Sequence, residues 1–185
     1  MSARDDILAR VRRNQPPAVN LPEVPLFDTL AHDFKTNLER MGGVFISSLD
    51  IRKTFPDARV IVSTVPEVKG NRPLPSDPKE LEDVDVAVVR ARFGVAETGS
   101  VWLSEAEYKV NAIGFLPQHL VVLLDMKAIV PNLHHAYRHP AFRHARYAVL
   151  MTGPSATADI EGILVRGAQG IRSMTVAACP ESETS

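Results

Sequence analysis

The sequence predicts an α/β protein: a three-layer sandwich in which a mostly parallel sheet is covered on both faces. Three observations support this fold class. Short β-branched apolar runs alternate with stretches of helical periodicity along the chain. Glycines and prolines separate these segments, and hydrophobic residues make up 45% of the 185 residues. A chain of this length buries roughly 70% of its unfolded surface, so one substantial core is expected.

Two regions are expected along the chain. Residues 1–25 are predicted to form an amphipathic helix over Ser2–Asn14 and an extended connector, because four of the fourteen prolines fall within Gln15–Pro25. Residues 26–185 are predicted to form a single α/β domain. Its proline-rich segment Val65–Pro78 is predicted to be a long surface loop.

Apolar spacing predicts the elements of the larger domain. Apolar residues at every third or fourth position predict a helix over Leu26–Met41, which the glycine pair Gly42–Gly43 can end. Further helical segments are predicted at Asp50–Phe55, Ile129–His139 and Thr157–Arg166. Strands are predicted at Val44–Ser47, Arg59–Thr64, Val84–Arg92, Val101–Leu103, His119–Leu124, Tyr147–Met151 and Met174–Ala178.

Composition excludes several classes of protein. Lys and Arg number 21 and Asp and Glu 22, whereas a nucleic-acid binder usually carries a strongly basic balance. The longest apolar runs, such as Leu120–Leu124, stop far short of the roughly 18 residues that a membrane span needs. The N-terminus lacks the apolar core of a secretory signal. We therefore expect a cytoplasmic protein with no nucleic-acid partner and no membrane span.

No metal site is predicted in this chain. Cys179 is the only cysteine, which excludes internal disulfides and all-cysteine metal or iron–sulfur sites within the chain. His135 and His139 have the i, i+4 spacing of a metal pair, and His134 and His144 lie nearby. However, this segment is rich in arginine and lacks Asp and Glu. A basic docking patch for an acidic partner or a substrate carboxylate is the better interpretation.

Glu97 is the first candidate for chemistry. It lies in a run of small and apolar residues, Gly94–Val101, so its carboxylate is expected to be partly desolvated and suited to act as a nucleophile or base. The structural alternative is a tight turn with positive φ at Gly99, which leaves Glu97 to cap a helix or pair with Arg90 or Arg92. The residues alone leave both interpretations open.

The second candidate is the segment Gly153–Glu161. A strand is predicted to end before it, and Ser155 or Thr157 could cap the N-terminus of the following helix, where anions can bind. Asp159 and Glu161 would then occupy the first helical turn and oppose a phosphate. A capped helix start without a ligand is an equally good interpretation.

Three segments together resemble the LUD-domain family, the lactate-utilisation protein C group. They are Val95–Ser100, Leu116–Val122 and Gly153–Glu161, which match in order and spacing. The resemblance covers the chain from about Leu26 onward. It implies a Rossmann-like sheet akin to the sugar-isomerase and coenzyme A transferase superfamily. The matching positions imply a site with Glu97 and Asp159 as catalytic residues and with ligand-binding residues Thr98, Gly99, Ser100, Gly153, Pro154, Ser155, Thr157 and Glu161.

The resemblance also implies a function. Members take part in the oxidation of L-lactate to pyruvate beside partner proteins that supply iron–sulfur centres, so this chain is expected to be a non-redox subunit without a cofactor of its own. A stand-alone acyl- or sugar-directed enzyme that uses Glu97 is one alternative, and a domain that senses a small ligand is another. The sequence is compatible with a small carboxylate or phosphate-type ligand and with a homo-oligomer.

Overall fold

The computed structural model describes residues 2–17, 19–20, 22, 25–26, 33–159 and 161–179. Its helices are α1 (Ala3–Arg13), α2 (Phe34–Arg40), α3 (Ile51–Thr54), α4 (Glu105–Tyr108), α5 (Leu133–Arg138) and α6 (Ala141–His144). Its strands are β1 (Val44–Ile46), β2 (Ile61–Ser63), β3 (Val86–Arg90), β4 (Phe93–Val95), β5 (Ser100–Ser104), β6 (His119–Leu124), β7 (Ile129–Val130), β8 (Ala148–Met151), β9 (Ala156–Thr157), β10 (Val165–Arg166) and β11 (Ser173–Ala178). Among the described residues, no helix is long and apolar enough to cross a membrane.

Five strands form an all-parallel sheet in the order β1-β11-β6-β3-β2. The α/β class and the parallel sheet predicted from the sequence are confirmed. The register places Val88 beside Val121 and Val121 beside Thr175, so the central strands β3, β6 and β11 are paired along their length. Continuous apolar runs form these strands because the sheet is buried on both faces.

Alternate residues of the parallel sheet enter two separate cores. On one face Ala87, Leu120 and Met174 pack under helix α2 and strand β5. On the other face a smaller core forms around Val88 and Val121, and helix α3 packs against it. Full burial of a Val, Leu or Met side chain contributes about 1.5–3 kcal/mol, so both cores stabilise this sheet.

A second, four-stranded sheet was not predicted. It has the order β7-β4-β5-β8, with β4–β5 and β5–β8 antiparallel and β4–β7 parallel. Only two residues, Ala91 and Arg92, separate β3 from β4, so the chain passes directly from the parallel sheet into this one. The far face of the second sheet carries an aromatic core of Phe93 and Trp102, whose rings stack at 5.5 Å, under helices α5 and α6.

The N-terminal helix and the long loop are confirmed. Helix α1 begins after Ser2, whose side chain forms a capping box with Asp5. The loop after β2 contains no helix or strand before a 3₁₀ turn at Pro78–Leu81. Arg72 ties this loop down, because its guanidinium reaches both carboxylate oxygens of Asp83 at 2.7 and 2.8 Å.

Two of the predicted helices are shorter than expected. Helix α2 begins only at Phe34, because Asp33 accepts hydrogen bonds from the N–H groups of Lys35 and Thr36 and caps it there. Leu26 is exposed outside the helix, and residues 27–32 lie outside the described part. The predicted helix over Ile129–His139 starts as strand β7, and helix α5 begins after the Asn132 cap.

Candidate functional site

The tight turn between β4 and β5 carries the first predicted site residues. Gly99 has φ +67°, and its N–H donates to the Val95 carbonyl at 2.9 Å. The turn is also held from two sides. The Asn37 side chain of α2 donates to the Ala96 carbonyl at 2.8 Å, and the Glu97 N–H donates to the Pro131 carbonyl at 3.0 Å. The turn therefore has one fixed position between α2 and the start of α5.

Glu97 is exposed on this turn, so the desolvation expected from its apolar neighbours is absent. The flanking side chains point into the core, but the turn itself faces solvent. The Glu97 Oε2 atom accepts the Leu133 N–H at 3.0 Å, which confirms the alternative of a helix cap, here for α5. The alternative of an ion pair with Arg90 or Arg92 is wrong, because Arg90 pairs with Glu67 and Arg92 with Glu107.

A chain of three hydroxyl groups connects this turn to the second candidate segment. The Thr98 and Ser100 hydroxyl oxygens lie 2.7 Å apart, and Ser100 also hydrogen-bonds the Thr152 hydroxyl. Ser100 is 2% exposed, so its hydroxyl is satisfied within the protein. Antiparallel pairing of β5 with β8 brings Ser100 beside Thr152, which directly precedes Gly153.

Gly153 and Pro154 are both buried, and Gly153 lies against the end of helix α2. Gly153 has φ +69°, and a Cβ atom built on it would lie 2.6 Å from the Met41 carbonyl oxygen. The backbone of Ser155 forms two hydrogen bonds with other segments. Its N–H donates to the Ile171 carbonyl at 3.3 Å, and its carbonyl accepts the Gly167 N–H at 2.7 Å. These residues hold the segment in place through their backbone.

The predicted helix over Thr157–Arg166 is wrong. Strands β9 and β10 form an antiparallel pair there, with Thr157 opposite Val165. The chain reverses through Glu161 at φ 53° and Gly162 at φ 71°, a conformation that a right-handed helix cannot include. Ser155 and Thr157 therefore do not cap a helix, and no helical dipole faces Asp159 or Glu161.

Local hydrogen bonds explain this departure. The Thr157 hydroxyl donates to Asp159 Oδ2 at 2.9 Å and accepts the Asp159 N–H at 3.3 Å. Such bonds between a short polar side chain and nearby backbone compete with the helix. Thr157, Asp159 and Glu161 thus lie on a small hairpin. In the described part of the chain, no hydrogen bond joins Asp159 to Glu97.

A cleft of about 520 Å³ opens beside the β4–β5 turn, and we call it the turn cleft. Its polar wall combines predicted and unpredicted residues: Asn37, Arg40, Glu97, Thr98, Ser100, Tyr137 and Thr152. Its apolar wall is formed by Met41, Leu133 and Leu150. The structure therefore brings Glu97, Thr98 and Ser100 to one cleft and leaves the β9–β10 hairpin residues outside its lining.

Arg40 is the principal residue that the sequence analysis missed. It is exposed at the last turn of α2 and forms no ion pair with the other described residues. A guanidinium group recognises a carboxylate through two parallel hydrogen bonds. Arg40, Thr98 and Glu97 thus bring a cation, a hydroxyl group and a carboxylate to the lining of one cleft. The only sequence signal for Arg40 is its place just before the glycine pair that ends the helix.

Two histidines of the histidine-rich segment contact other residues of the protein. His135 Nδ1 lies 2.9 Å from Asn132 Oδ1, and His139 Nδ1 accepts the Ala141 N–H at 3.2 Å. The His139 ring packs on Phe93, with 4.4 Å between the ring centroids. Within the residues that the structure describes, no group of three or more His, Cys, Asp or Glu side chains is arranged to hold a metal ion.

Comparison with solved structures identifies a similar fold. A DUF162 family protein from Deinococcus radiodurans superposes with a TM-score of 0.60 at 17% sequence identity. The alignment covers 83% of this chain and 99% of that one. At this level of identity the likeness concerns the fold alone.

Comparison with curated proteins finds distant relatives. Uncharacterized protein YkgG of Escherichia coli is 31% identical over 97 residues, which cover 49% of this chain and 42% of the relative. Lactate utilization protein C of Halalkalibacterium halodurans is 28% identical over 98 residues, or 50% of this chain and 43% of the relative. The protein of that name from Anoxybacillus flavithermus is 32% identical over 90 residues, or 48% and 41%. The matches thus span less than half the length of these relatives.

The comparison with protein families confirms the predicted resemblance. The LUD domain matches residues 77–177, which is more than half of the chain. This range contains all three segments that carried the resemblance, Val95–Ser100, Leu116–Val122 and Gly153–Glu161. The chain belongs to the LUD domain family.

Proposed function

We propose that this chain is a non-redox component of an L-lactate-oxidising assembly whose iron–sulfur centres are bound by partner chains. The observation that carries the proposal is the similarity to proteins named lactate utilization protein C. The chain itself holds one cysteine, whereas iron–sulfur clusters are commonly held by four cysteine thiolates. The two electrons that leave lactate as it becomes pyruvate would therefore pass to another chain.

The turn cleft is the proposed small-acid site of this assembly. Lactate presents a carboxylate and a 2-hydroxyl group. Arg40 supplies a cation with the geometry to bind the carboxylate. Glu97 uses Oε2 to cap α5, and its Oε1 atom has no hydrogen-bond partner among the described residues, so it is available to accept the hydroxyl proton. Asp159 remains a proposed site residue through the family resemblance alone.

Complementation of a deletion strain tests this proposal. We expect the strain to lose growth on L-lactate as sole carbon source, to keep growth on glucose, and to recover with the wild-type gene. Glu97→Gln and Arg40→Gln should not restore growth on lactate. Arg59→Gln should restore it, because Arg59 is exposed and lies outside the turn cleft. Undiminished growth of the deletion strain on lactate would contradict the proposal.

A stand-alone acyl-directed enzyme is the second candidate. Glu97 would be its nucleophile, because its carboxylate lines an open cleft that a substrate can enter, and the proposed likeness to the coenzyme A transferase superfamily favours it. Its exposure means that this carboxylate is not activated by burial. In such a step Glu97 attacks the thioester carbonyl, the C–S bond breaks, and an acyl-glutamyl anhydride forms as the coenzyme A thiolate leaves. Intact-mass analysis after incubation with acyl-coenzyme A should then show an adduct in wild type that Glu97→Gln lacks. A purely sensing domain would bind its ligand without any adduct or turnover.

A further inference from the structure

A second cleft, of about 540 Å³, opens at the carboxyl ends of strands β2, β3 and β6. It shares no lining residue with the turn cleft. In parallel α/β sheets, ligands bind in the crevice outside the carboxyl ends of the strands. We call this space the carboxyl-edge cleft. The sequence analysis assigned no residue to it, because its walls come from four separate segments of the chain.

Two ion pairs fix the walls of this cleft. Arg90 Nη2 lies 2.6 Å from Glu67 Oε1, and both side chains are less than one-third exposed. Arg92 places Nε and Nη2 on Glu107 Oε1, at 3.0 and 2.7 Å, and the Glu107 side chain is only 8% exposed. Both arginines are therefore engaged by carboxylates of the protein itself.

Two lysines in the same cleft have no such partner. Lys109 and Lys127 are exposed and line the cleft, and neither forms an ion pair within the described residues. The nearest carboxylate along the chain from Lys127 is Asp125, whose Oδ1 accepts the backbone N–H of Lys127 at 2.9 Å. The lining holds four cationic and three anionic side chains, so an anion would complete its charge balance.

Lys109, whose side chain lines the cleft, has a strained backbone. Its φ is 62° and its ψ is −47°, and the Val110 N–H donates to the Tyr108 carbonyl at 2.7 Å, which closes a γ-turn around Lys109. Positive φ is unfavourable for lysine, because its Cβ atom crowds the neighbouring backbone. Tyr108, which is fully buried, anchors the turn in the core. Strained residues of this kind cluster at ligand sites, where the surrounding structure maintains them.

We propose that the carboxyl-edge cleft is a binding site for a phosphoryl-bearing metabolite, held by the ammonium groups of Lys109 and Lys127. The forked guanidinium groups that suit carboxylates are occupied, and the cations that remain are ammonium groups, which bind phosphate oxygens as point charges. The volume lies within the range of ordinary ligand pockets. This inference rests on the cleft alone and does not depend on the proposed function in lactate oxidation.

Calorimetric titration with inorganic pyrophosphate tests the inference, with citrate as a carboxylate probe of high charge. We expect wild type to bind pyrophosphate more tightly than citrate, and to bind it more weakly as salt is added. Lys109→Gln and Lys127→Gln should each weaken pyrophosphate binding about tenfold, the usual effect of one charge-assisted hydrogen bond. Lys79→Gln is the matched control and should bind as wild type does, because Lys79 is exposed outside this cleft.

Three outcomes would overturn the inference: no binding of pyrophosphate by wild type, binding that neither cleft lysine affects, or equal affinity for citrate. Lys127 lies in a 3₁₀ turn, so Lys127→Gln tests the site even if the strained position 109 tolerates no change. Thermal melting of each variant shows whether it is folded. Growth on lactate is not a readout here, so failure of this site and failure of the proposed function are distinguishable.

Discussion

Gly99 packs directly against the backbone of Leu38: a Cβ atom built on Gly99 would lie 2.2 Å from the Leu38 nitrogen. The β4–β5 turn therefore sits on helix α2 with no space for a side chain. This contact places Glu97, Thr98 and Ser100 beside Arg40 and so forms the turn cleft. The glycine at position 99 thus has a steric explanation as well as a conformational one.

Gly99→Ala should destabilise the protein by more than the strain of positive φ alone. That strain costs about 1–2 kcal/mol, and the clash with α2 adds to it. Gly162→Ala is the matched control, because Gly162 has φ +71° but, apart from its chain neighbours, no atom of the described residues lies within 4 Å of the added Cβ. Chemical denaturation measures both. Equal losses for the two variants would mean that Gly99 does not pack tightly on α2.

The hydroxyl chain between the two motif segments should behave as one unit. Ser100→Ala and Thr152→Val each remove the hydrogen bond between these side chains, which contributes about 1 kcal/mol. The double variant should therefore lose clearly less stability than the sum of the single variants. A double-mutant cycle by urea denaturation measures this coupling. Strict additivity would show that the two hydroxyl groups do not interact.

Lys109→Gly should separate stability from binding. Glycine adopts φ 62° without strain, which relieves about 1–3 kcal/mol, whereas its greater freedom in the unfolded chain costs about 0.5–1 kcal/mol. The free energy of unfolding should therefore rise by about 1 kcal/mol. The same change removes the ammonium group and should weaken pyrophosphate binding as Lys109→Gln does. Denaturation and calorimetry on one preparation measure both effects. A less stable Lys109→Gly variant would show that any strain in the γ-turn is smaller than the entropic cost of glycine.

Stability should fall as the pH drops below neutrality. Burial lowers the pKa of His119, and the nearby Arg172 lowers it further, although Asp85 opposes this. Burial and Arg92 likewise lower the pKa of His139. A lowered folded-state pKa favours the neutral ring, so this stability is fully present above the unfolded value of about 6.5 and is lost as the pH falls through the folded pKa.

Urea denaturation at a series of pH values between neutrality and mild acid checks this dependence. His119→Gln should flatten the decline in this range, because it removes one of the two groups that resist protonation. His144→Gln changes a histidine that is exposed on α6 and serves as the control. A wild-type protein that becomes more stable under mild acid would contradict the direction of both shifts.

The sequence was sufficient for the parallel sheet but not for the second sheet. The central strands β3, β6 and β11 appear as continuous apolar runs because both faces of that sheet are buried. The second sheet consists of shorter strands, and β7 spans only Ile129–Val130. Because the residues after β7 have helical periodicity, the sequence predicted one helix over both. Pro131 and the Asn132 cap were the local signals for the boundary.

The residues of the turn cleft could be predicted only in part. Glu97, Thr98 and Ser100 were candidates from the sequence, but the partner of Ser100 could not be predicted, because antiparallel pairing of β5 with β8 brings Thr152 beside it. Asp159 stayed apart because its segment resembles a capped helix in sequence, while Glu161 and Gly162 turn the chain back into a hairpin.

Purification of the tagged chain from its lactate-grown native host, under mild anaerobic conditions, tests the lactate-oxidising assembly most directly. Iron, acid-labile sulfide and lactate-dependent reduction of an electron acceptor are measured in the eluate. We expect all three to elute with the wild-type chain, and to be absent when the chain is expressed alone in a heterologous host. Recovery of the chain without iron or sulfide, with lactate oxidation confined to other fractions, would contradict a function in such an assembly.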